Sequence, residues 1–381
     1  MPKILDLQST DDPRDIVHLT VQALAEGQVV GVPTETVYGL AAHALCEDAV
    51  ARICEIKGRG NNAPLAISVR SRDAAGDFFC QLSGVARRLS FRCWPGPLTL
   101  VVPCDLGKSA LSQLPAAIHQ RITSDHDCVG FRVVDHRILA YIHRFMAAPL
   151  VLTSANLSGH PAPTTAAGVA DQLGDALPLL LDDGPTRYGG ASTVVRVRGN
   201  RWEILREGVI ERAAMNQFVK PVIAVVCTGN TCRSPMAEAL LREKLTKKFG
   251  SEDAVRVISA GVAAGAGMGA SPQAVEVMGG RGLDLTGHSS RSLDDSVMKV
   301  ADLVLTMTTG HRAAILAAWP EMHDRVFPLR RDGGDVTDPV GMPLEVYERC
   351  AEQIDSELDR WIDSLEDDFF PRAQTSDEGS E

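Results

Sequence analysis

Between Cys227 and Pro235 the chain reads Cys-Thr-Gly-Asn-Thr-Cys-Arg-Ser-Pro, which sets a thiol, a guanidinium and several small polar side chains in one short loop. The apolar run Val222-Ile223-Ala224-Val225-Val226 before it has the character of a buried parallel strand. Ser234 and Pro235 read as a helix start, the serine as N-cap and the proline at the first helical position. Met236 to Lys247 then carries apolar residues at helical spacing. A loop joining a strand to a helix aims backbone N–H groups at one point, at the positive end of the helix dipole, and so makes an anion site. Cys227 opens this loop, where a thiol is favoured as thiolate and serves as a nucleophile. Arg233 closes it with a planar fork matched to phosphate oxygens. The chemistry implied is attack on a phosphoryl group, with Thr228, Gly229, Asn230, Thr231, Cys232 and Ser234 forming the rest of the phosphate-binding loop.

This spacing resembles the low-molecular-weight protein tyrosine phosphatase family, whose signature begins C-T-G-N and ends C-R-S-P. The resemblance runs from about Pro221 to Phe370. It implies Cys227 as nucleophile, Arg233 as phosphate clamp and Ser234 as the hydroxyl supporting the thiolate. It also implies an Asp-Pro pair far downstream as general acid, which Asp338-Pro339 supplies. The leaving oxygen or nitrogen needs that proton as its bond to phosphorus breaks. Tyrosine-directed members carry isoleucine before the second cysteine and aromatics after the Asp-Pro pair. Here Thr231 and Val340-Gly341-Met342 stand in those places. The string C-T-G-N-T-C-R-S resembles the protein arginine phosphatases and implies phosphoarginine over phosphotyrosine. The second thiol has two readings: Cys232 forms a protective disulfide with Cys227, or it fills a small buried space.

The elements around the loop alternate strand and helix. Val255 to Gly261 reads as a strand and turn, Ser271-Pro272 as a helix start, Ala301 to Met307 as a buried strand, and Pro343 to Leu365 as a long closing helix. The 381 residues are enough for two domains. With 45% apolar and 23% charged residues the balance is globular. No apolar run approaches the length of a membrane span, the N-terminus lacks a signal-peptide core, and the nine cysteines form no regular framework. A cytoplasmic protein with reduced thiols and no bound metal is expected. Residues 1–215 carry 21 Lys+Arg against 22 Asp+Glu, and residues 216–381 carry 17 against 27. Neither part has the basic excess of a bulk DNA binder.

The first half carries five further peptides: P-T-E-T-V-Y-G-L at 33–40, K-G-R at 57–59, W-P-G-P-L-T at 94–99, S-A-N-L-S-G at 154–159 and S-T-V-V at 192–195. In this order they resemble the YrdC family of threonylcarbamoyl-AMP synthases. The resemblance implies a twisted α/β sheet domain with a concave, positively lined cavity. It implies condensation of threonine, bicarbonate and ATP into threonylcarbamoyl-AMP and pyrophosphate. That product serves the machinery that modifies tRNA. ATP enters as a substrate with Mg2+, and no cofactor is permanently bound. A triphosphate needs fixed cations, for which Lys57, Arg59, Arg132 and Arg206 are candidates. By the resemblance Thr36, Arg132, Ser154 and Ser192 hold threonine, and Lys57, Arg59, Asn156, Thr164 and Arg206 hold the nucleotide. Ala63, Ser68 and Ala191 depart from the family's Asn, His and Glu. These departures keep a second reading open, in which the first half is an RNA-binding or scaffold module and only a tyrosine-type phosphatase is active.

The expected organisation is therefore α/β in both halves: a YrdC-like domain over 1–212, a linker over 213–220, a parallel-sheet phosphatase-like domain over 221–372 acting on phosphoproteins, and an acidic disordered tail over 373–381.

Overall fold

In the computed structural model the chain divides into two compact units, Met1–Phe218 and Val219–Glu381. The structure describes residues 2–58, 64–79, 82–124, 126–365 and 369. The expected tail at 373–381, Arg59 of the K-G-R loop and Ala63 lie outside the described residues.

In the first unit the strands are β1 (Lys3–Asp6), β2 (Val30–Val32), β3 (Gly39–His43), β4 (Ala66–Ser68), β5 (Leu98–Pro103), β6 (Thr123–Ser124), β7 (Cys128–Arg132), β8 (Leu150–Ser154), β9 (Leu179–Asp182), β10 (Thr193–Arg198) and β11 (Arg201–Arg206). They form one mixed sheet in the order β1-β9-β2-β3-β8-β4-β7-β5-β10-β11, with β6 beside β7. The pairs β1/β9, β2/β9, β4/β7 and β5/β10 are parallel and the others antiparallel. Residues at i and i+2 of a strand share a face. On one face the central strands therefore present Gly39, Ala66, Thr99, Val101, Gly130, Arg132, Leu152, Ser154 and Val194, and this face floors a cavity. Gly39, Ala66 and Gly130 keep that floor hollow; a Cβ on Gly39 would sit 2.9 Å from Leu152 Cδ1. Helices Arg14–Ala25 and Arg137–Phe145 pack an apolar cluster of Val17, Leu24, Ile138, Leu139 and Ile142 against Val30, Val32, Leu150 and Leu152. Most of the expected linker is the helix Arg212–Phe218, which buries Met215 and closes the first unit.

The second unit is a wholly parallel sheet, β13-β12-β14-β15, built from β12 (Val222–Cys227), β13 (Arg256–Gly261), β14 (Leu303–Thr306) and β15 (Val326–Pro328). All six residues of β12 are buried, as expected of a central strand covered on both faces. The closing helix spans Leu344–Ser364 and buries Tyr347, Ala351, Ile354, Leu358 and Trp361, four or three residues apart.

The two Ser-Pro pairs behave differently. Ser271 caps the helix Pro272–Gly280, its side chain accepting from the Ala274 N–H. Ser234 does not cap. The helix starts at Arg233, its N-cap is Cys232, and Ser234 and Pro235 lie inside the first turn. This corrects the sequence reading, and the cause is the loop itself. The Ser234 hydroxyl is drawn to the Cys227 thiol instead of to a backbone N–H of the helix start.

Candidate active sites

Cys227 ends β12 and faces the loop that follows. Its Sγ lies 3.0 Å from Ser234 Oγ and accepts from the Asn230 N–H at 3.2 Å. That N–H points inward because Asn230 is buried in the left-handed region, at φ 54°. Asn230 is held there from three sides. Its Nδ2 donates to Ser234 Oγ at 2.9 Å, its Oδ1 accepts from the Arg291 N–H at 2.9 Å, and its carbonyl lies 2.7 Å from His288 Nε2. Gly261 at the end of β13 permits the close approach: a Cβ there would stand 2.4 Å from Thr228 O and 2.9 Å from Asn230 N. Ser234 Oγ also lies 3.3 Å from Ala260 O. The hydroxyl can therefore donate to that carbonyl when the sulfur carries a proton and to the sulfur when it does not.

Arg233 is buried, and its fork is already occupied. Nη1 donates to Val336 O at 3.2 Å, and Nη2 donates to Asp338 Oδ2 at 2.5 Å. The Asp338 side chain is about half exposed, at 48%, against 5% for Arg233. Thr231 is half-buried and Gly229 sits between it and the exposed Thr228. Cys232 is buried with Sγ 3.5 Å from Tyr347 Oη, and both Cys227 and Cys232 are free thiols. The loop residues Cys227 to Ser234 thus lie together, and Asp338 joins them through Arg233. His288 and His311 were not anticipated; His311 Nε2 lies 2.8 Å from Thr228 Oγ1. They come from chain positions 58 and 83 residues away from their partners, and no local pattern marks them.

The first unit holds a cavity of about 410 Å3. Arg132, Ser154, Asn156, Ser192 and Arg206 line it; Thr36, Lys57 and Thr164 do not. Arg132 donates through Nη2 to Glu35 Oε1 at 2.9 Å and Thr36 Oγ1 at 2.6 Å, so Thr36 stands behind the guanidinium. Lys57 is 1% exposed. Its Nζ donates to Ser154 O at 2.5 Å and Asn156 O at 2.9 Å, so the ammonium holds the loop that carries Ser154 and Asn156. Ser154 Oγ in turn donates to Asn156 Oδ1 at 2.6 Å. Arg206 reaches back to Ser192, with Nη2 2.8 Å from its carbonyl and 3.0 Å from its hydroxyl. Gly208 allows this fold-back, since a Cβ there would meet Ala191 O at 2.3 Å. The Thr164 carbonyl accepts from the Thr186 N–H at 2.9 Å.

Glu35 is the main residue the sequence reading passed over. It is buried, its Oε1 pairs with Arg132, and its Oε2 has no partner among the described residues. A signal was present: Glu35 is the one charged residue between Glu26 and His43 in an otherwise apolar and small-residue stretch. Ser68, one of the family departures, meets a histidine. Its hydroxyl lies 3.0 Å from His143 Nε2, and burial pushes that imidazole down to about 4.

A family model named for Sua5, YciO and YrdC, with the description "Telomere recombination", matches residues 22–208. One described as low molecular weight phosphotyrosine protein phosphatase matches residues 222–370. Over 190 residues, 50% of this chain, the sequence is 34% identical to a putative threonylcarbamoyl-AMP synthase of Mycobacterium tuberculosis and covers 82% of it. Over 148 residues, 38% of this chain, it is 39% identical to a protein-arginine-phosphatase of Geobacillus stearothermophilus and covers 95% of it. The chain belongs to both families. The threonylcarbamoyl-AMP synthase of Bacillus subtilis is 35% identical over 219 residues, 58% of this chain, but only 60% of that longer protein is spanned. A probable low molecular weight protein-tyrosine-phosphatase of Ralstonia nicotianae is 40% identical over 141 residues, 37% of this chain and 92% of its own. Identity therefore does not separate arginine-directed from tyrosine-directed relatives. A solved Sua5 structure from P. abyssi matches 92% of this chain and 96% of its own, with a TM-score of 0.51 at 24% identity, a likeness of fold alone. Among the described residues no helix is long and apolar enough to cross a membrane, and no cluster of metal-ligating side chains occurs.

Proposed function

We propose that the chain is a bifunctional enzyme, a threonylcarbamoyl-AMP synthase followed by a cysteine-dependent protein phosphatase that prefers phosphoarginine. The synthase reading rests on the cavity wall, where Arg132, Arg206, Ser154 and Ser192 line one hollow. Arg132 takes the threonine carboxylate, with Ser154 and Ser192 beside it and Thr36 acting through Arg132. Arg206, Asn156 and Arg59 take the nucleotide, Thr164 acts from outside the cavity wall through the Thr186 N–H its carbonyl holds, and Lys57 acts through the Ser154–Asn156 loop. The threonine amine and bicarbonate give a carbamate and water. The carbamate oxygen then attacks the α-phosphorus of ATP, its bond to the β-phosphate oxygen breaks, and pyrophosphate leaves. Positioning and charge neutralisation are the protein's tasks, and no side-chain nucleophile is required.

The phosphatase reading rests on Cys227 Sγ standing within reach of the Ser234 hydroxyl and the Asn230 N–H. The thiolate attacks phosphorus, the bond to the leaving atom breaks, and Asp338 gives that atom its proton. Water then attacks the phosphocysteine, Asp338 taking its proton, and the S–P bond breaks to return the Cys227 thiolate and release inorganic phosphate. Thr231 supports phosphoarginine, because a threonine presents a small polar wall to a phosphoguanidinium where isoleucine would crowd it.

One experiment on the purified full-length chain tests both parts. Pyrophosphate release from ATP should require threonine and bicarbonate together; release without either, or none at all, defeats the synthase reading and favours a binding or scaffold role. kcat/KM should be higher on a phosphoarginine peptide than on its matched phosphotyrosine peptide, and Thr231→Ile should shift the ratio toward tyrosine. A tyrosine preference in the unmodified protein defeats the arginine assignment.

A further inference from the structure

Thr228 and His311 form a contact that the phosphatase chemistry above does not use. Thr228 is exposed at the loop mouth, one residue after the thiol. Its Oγ1 lies 2.8 Å from Nε2 of His311, a residue 8% exposed in the first turn of the helix Thr309–Ala318. The same oxygen accepts from Arg233 Nη2 at 3.5 Å, the limit of a hydrogen bond. The direction of the shorter contact follows from the other ring nitrogen. His311 Nδ1 is buried and has no partner among the described residues. If Nε2 accepted the threonine proton, Nδ1 would carry a hydrogen buried without an acceptor. If Nε2 donates, Nδ1 is only an unused lone pair. Orphaned buried N–H groups are the rarer of the two. A doubly protonated ring would leave the same orphan, with the Arg233 guanidinium close by. Burial first, and that guanidinium second, hold the imidazole below its ordinary pKa, against Asp338 and Asp335, which act the other way. The neutral ring therefore donates from Nε2.

Two donors, His311 and Arg233, then fill both lone pairs of the Thr228 oxygen. A hydroxyl so filled has only its own hydrogen left to give. Its backbone is fixed as well, the Thr228 carbonyl accepting from the Ala263 N–H at 3.0 Å. We propose that the Thr228 hydroxyl is a hydrogen-bond donor to the phosphoryl group held in this loop, and that His311 is the positioning residue that orients it. The inference rests on the phosphatase reading and deepens it. It adds a side-chain donor to the backbone N–H groups and Arg233, directed to the rim of the anion, where charge accumulates as the leaving group departs.

The test uses the full chain with reduced thiols, inorganic phosphate as probe in calorimetry, and kcat/KM on an aryl phosphate. Thr228→Val keeps the shape and removes the hydroxyl. It should weaken phosphate binding and lower kcat/KM by about tenfold, the usual scale for one hydrogen bond to a charged group. Thr228→Ser should recover most of that loss. His311→Leu should reproduce it, His311→Gln should recover it, because the amide N–H reaches as far as Nε2–H, and Thr228→Val combined with His311→Leu should lose no more than either alone. A purely structural histidine would instead give losses that add. Phosphate affinity equal in Thr228→Val and the unmodified chain, or additive losses in the double variant, overturns the proposal while the phosphatase reading stands. An unmodified chain that neither binds phosphate nor turns over an aryl phosphate overturns both.

Discussion

On the proposed reading, the anion loop of the second unit and the cavity of the first would hold phosphate in opposite ways. The loop is eight consecutive residues, Cys227 to Ser234, shaped by the left-handed Asn230 and by the helix start at Arg233. The cavity is lined by residues of eight strands, β3 to β8, β10 and β11, and the cations associated with it are tied to protein atoms: Arg132 to Glu35, Arg206 to Ser192, and Lys57 to Ser154 and Asn156 beneath the wall. A contiguous loop concentrates function in a few residues. An assembled cavity spreads it into the scaffold, so that damage to function and damage to stability are hard to separate.

The sharpest way to break this contrast is Cys227→Ser. An alcohol in the same loop stays protonated, so phosphatase turnover should fall by roughly a thousandfold or more, while pyrophosphate release by the first unit and the melting temperature stay near those of the unmodified chain. Residual hydrolysis within about tenfold would remove the thiol from the nucleophile's role. In the first unit the comparable change is one of stability with pH. His143 is kept neutral by burial, its folded value near 4 lying below the ordinary 6.5. The folded state binds fewer protons than the unfolded one between those values. Its contribution is therefore complete above about pH 6.5 and is lost as pH falls through about 4, a change of about 3 kcal/mol. Denaturant midpoints measured from pH 7 to 4 should show this loss, and His143→Gln should flatten it; an unchanged slope in the variant assigns the acid sensitivity elsewhere.

Lys57→Met comes next in size. It strips the donor from two carbonyls and should lower stability by about 2 kcal/mol, together with a loss of adenylate formation of about tenfold. Arg206→Met, at an exposed residue, should leave stability within about 0.5 kcal/mol and act mainly by raising the ATP requirement. If Lys57→Met also spares stability and only raises that requirement, Lys57 is a cavity cation and the contrast between the two sites narrows.

The same contrast explains what could be read from the sequence. The strand, loop and helix around Cys227 lie within one stretch, and the order of residue types defines them without knowledge of the rest. The closing helix Leu344–Ser364 was legible for the same reason, its apolar positions recurring every three or four residues. Legibility failed where a partner comes from far along the chain. Nothing near Lys57 indicates that its ammonium is buried under Ser154, 97 residues away, nor near Arg132 that it pairs with Glu35 at the same separation. Ser234 failed for a subtler reason. Serine before proline is a good cap in isolation, as Ser271 shows, but a nearby sulfur competes for the hydroxyl and the helix begins earlier. The peptides of the first half could be matched as strings, yet which of their polar groups face the hollow and which face inward depends on sheet order.

The Arg233–Asp338 pair has a consequence for traffic through the loop. Arg233 is almost fully buried, and a buried guanidinium stripped of its partner is costly by several kcal/mol. On the proposed phosphatase reading, an arriving phosphate would not meet a bare cation; it would exchange with the carboxylate already seated there. Departure would be the reverse exchange, with Asp338 pairing with Arg233 again as the inorganic product leaves. Entry and exit would then both be substitutions at one charged centre, so neither opens the loop to an uncompensated charge, and the swap would free the aspartate to take up a proton, as from the arriving phosphate, and carry it to the leaving atom.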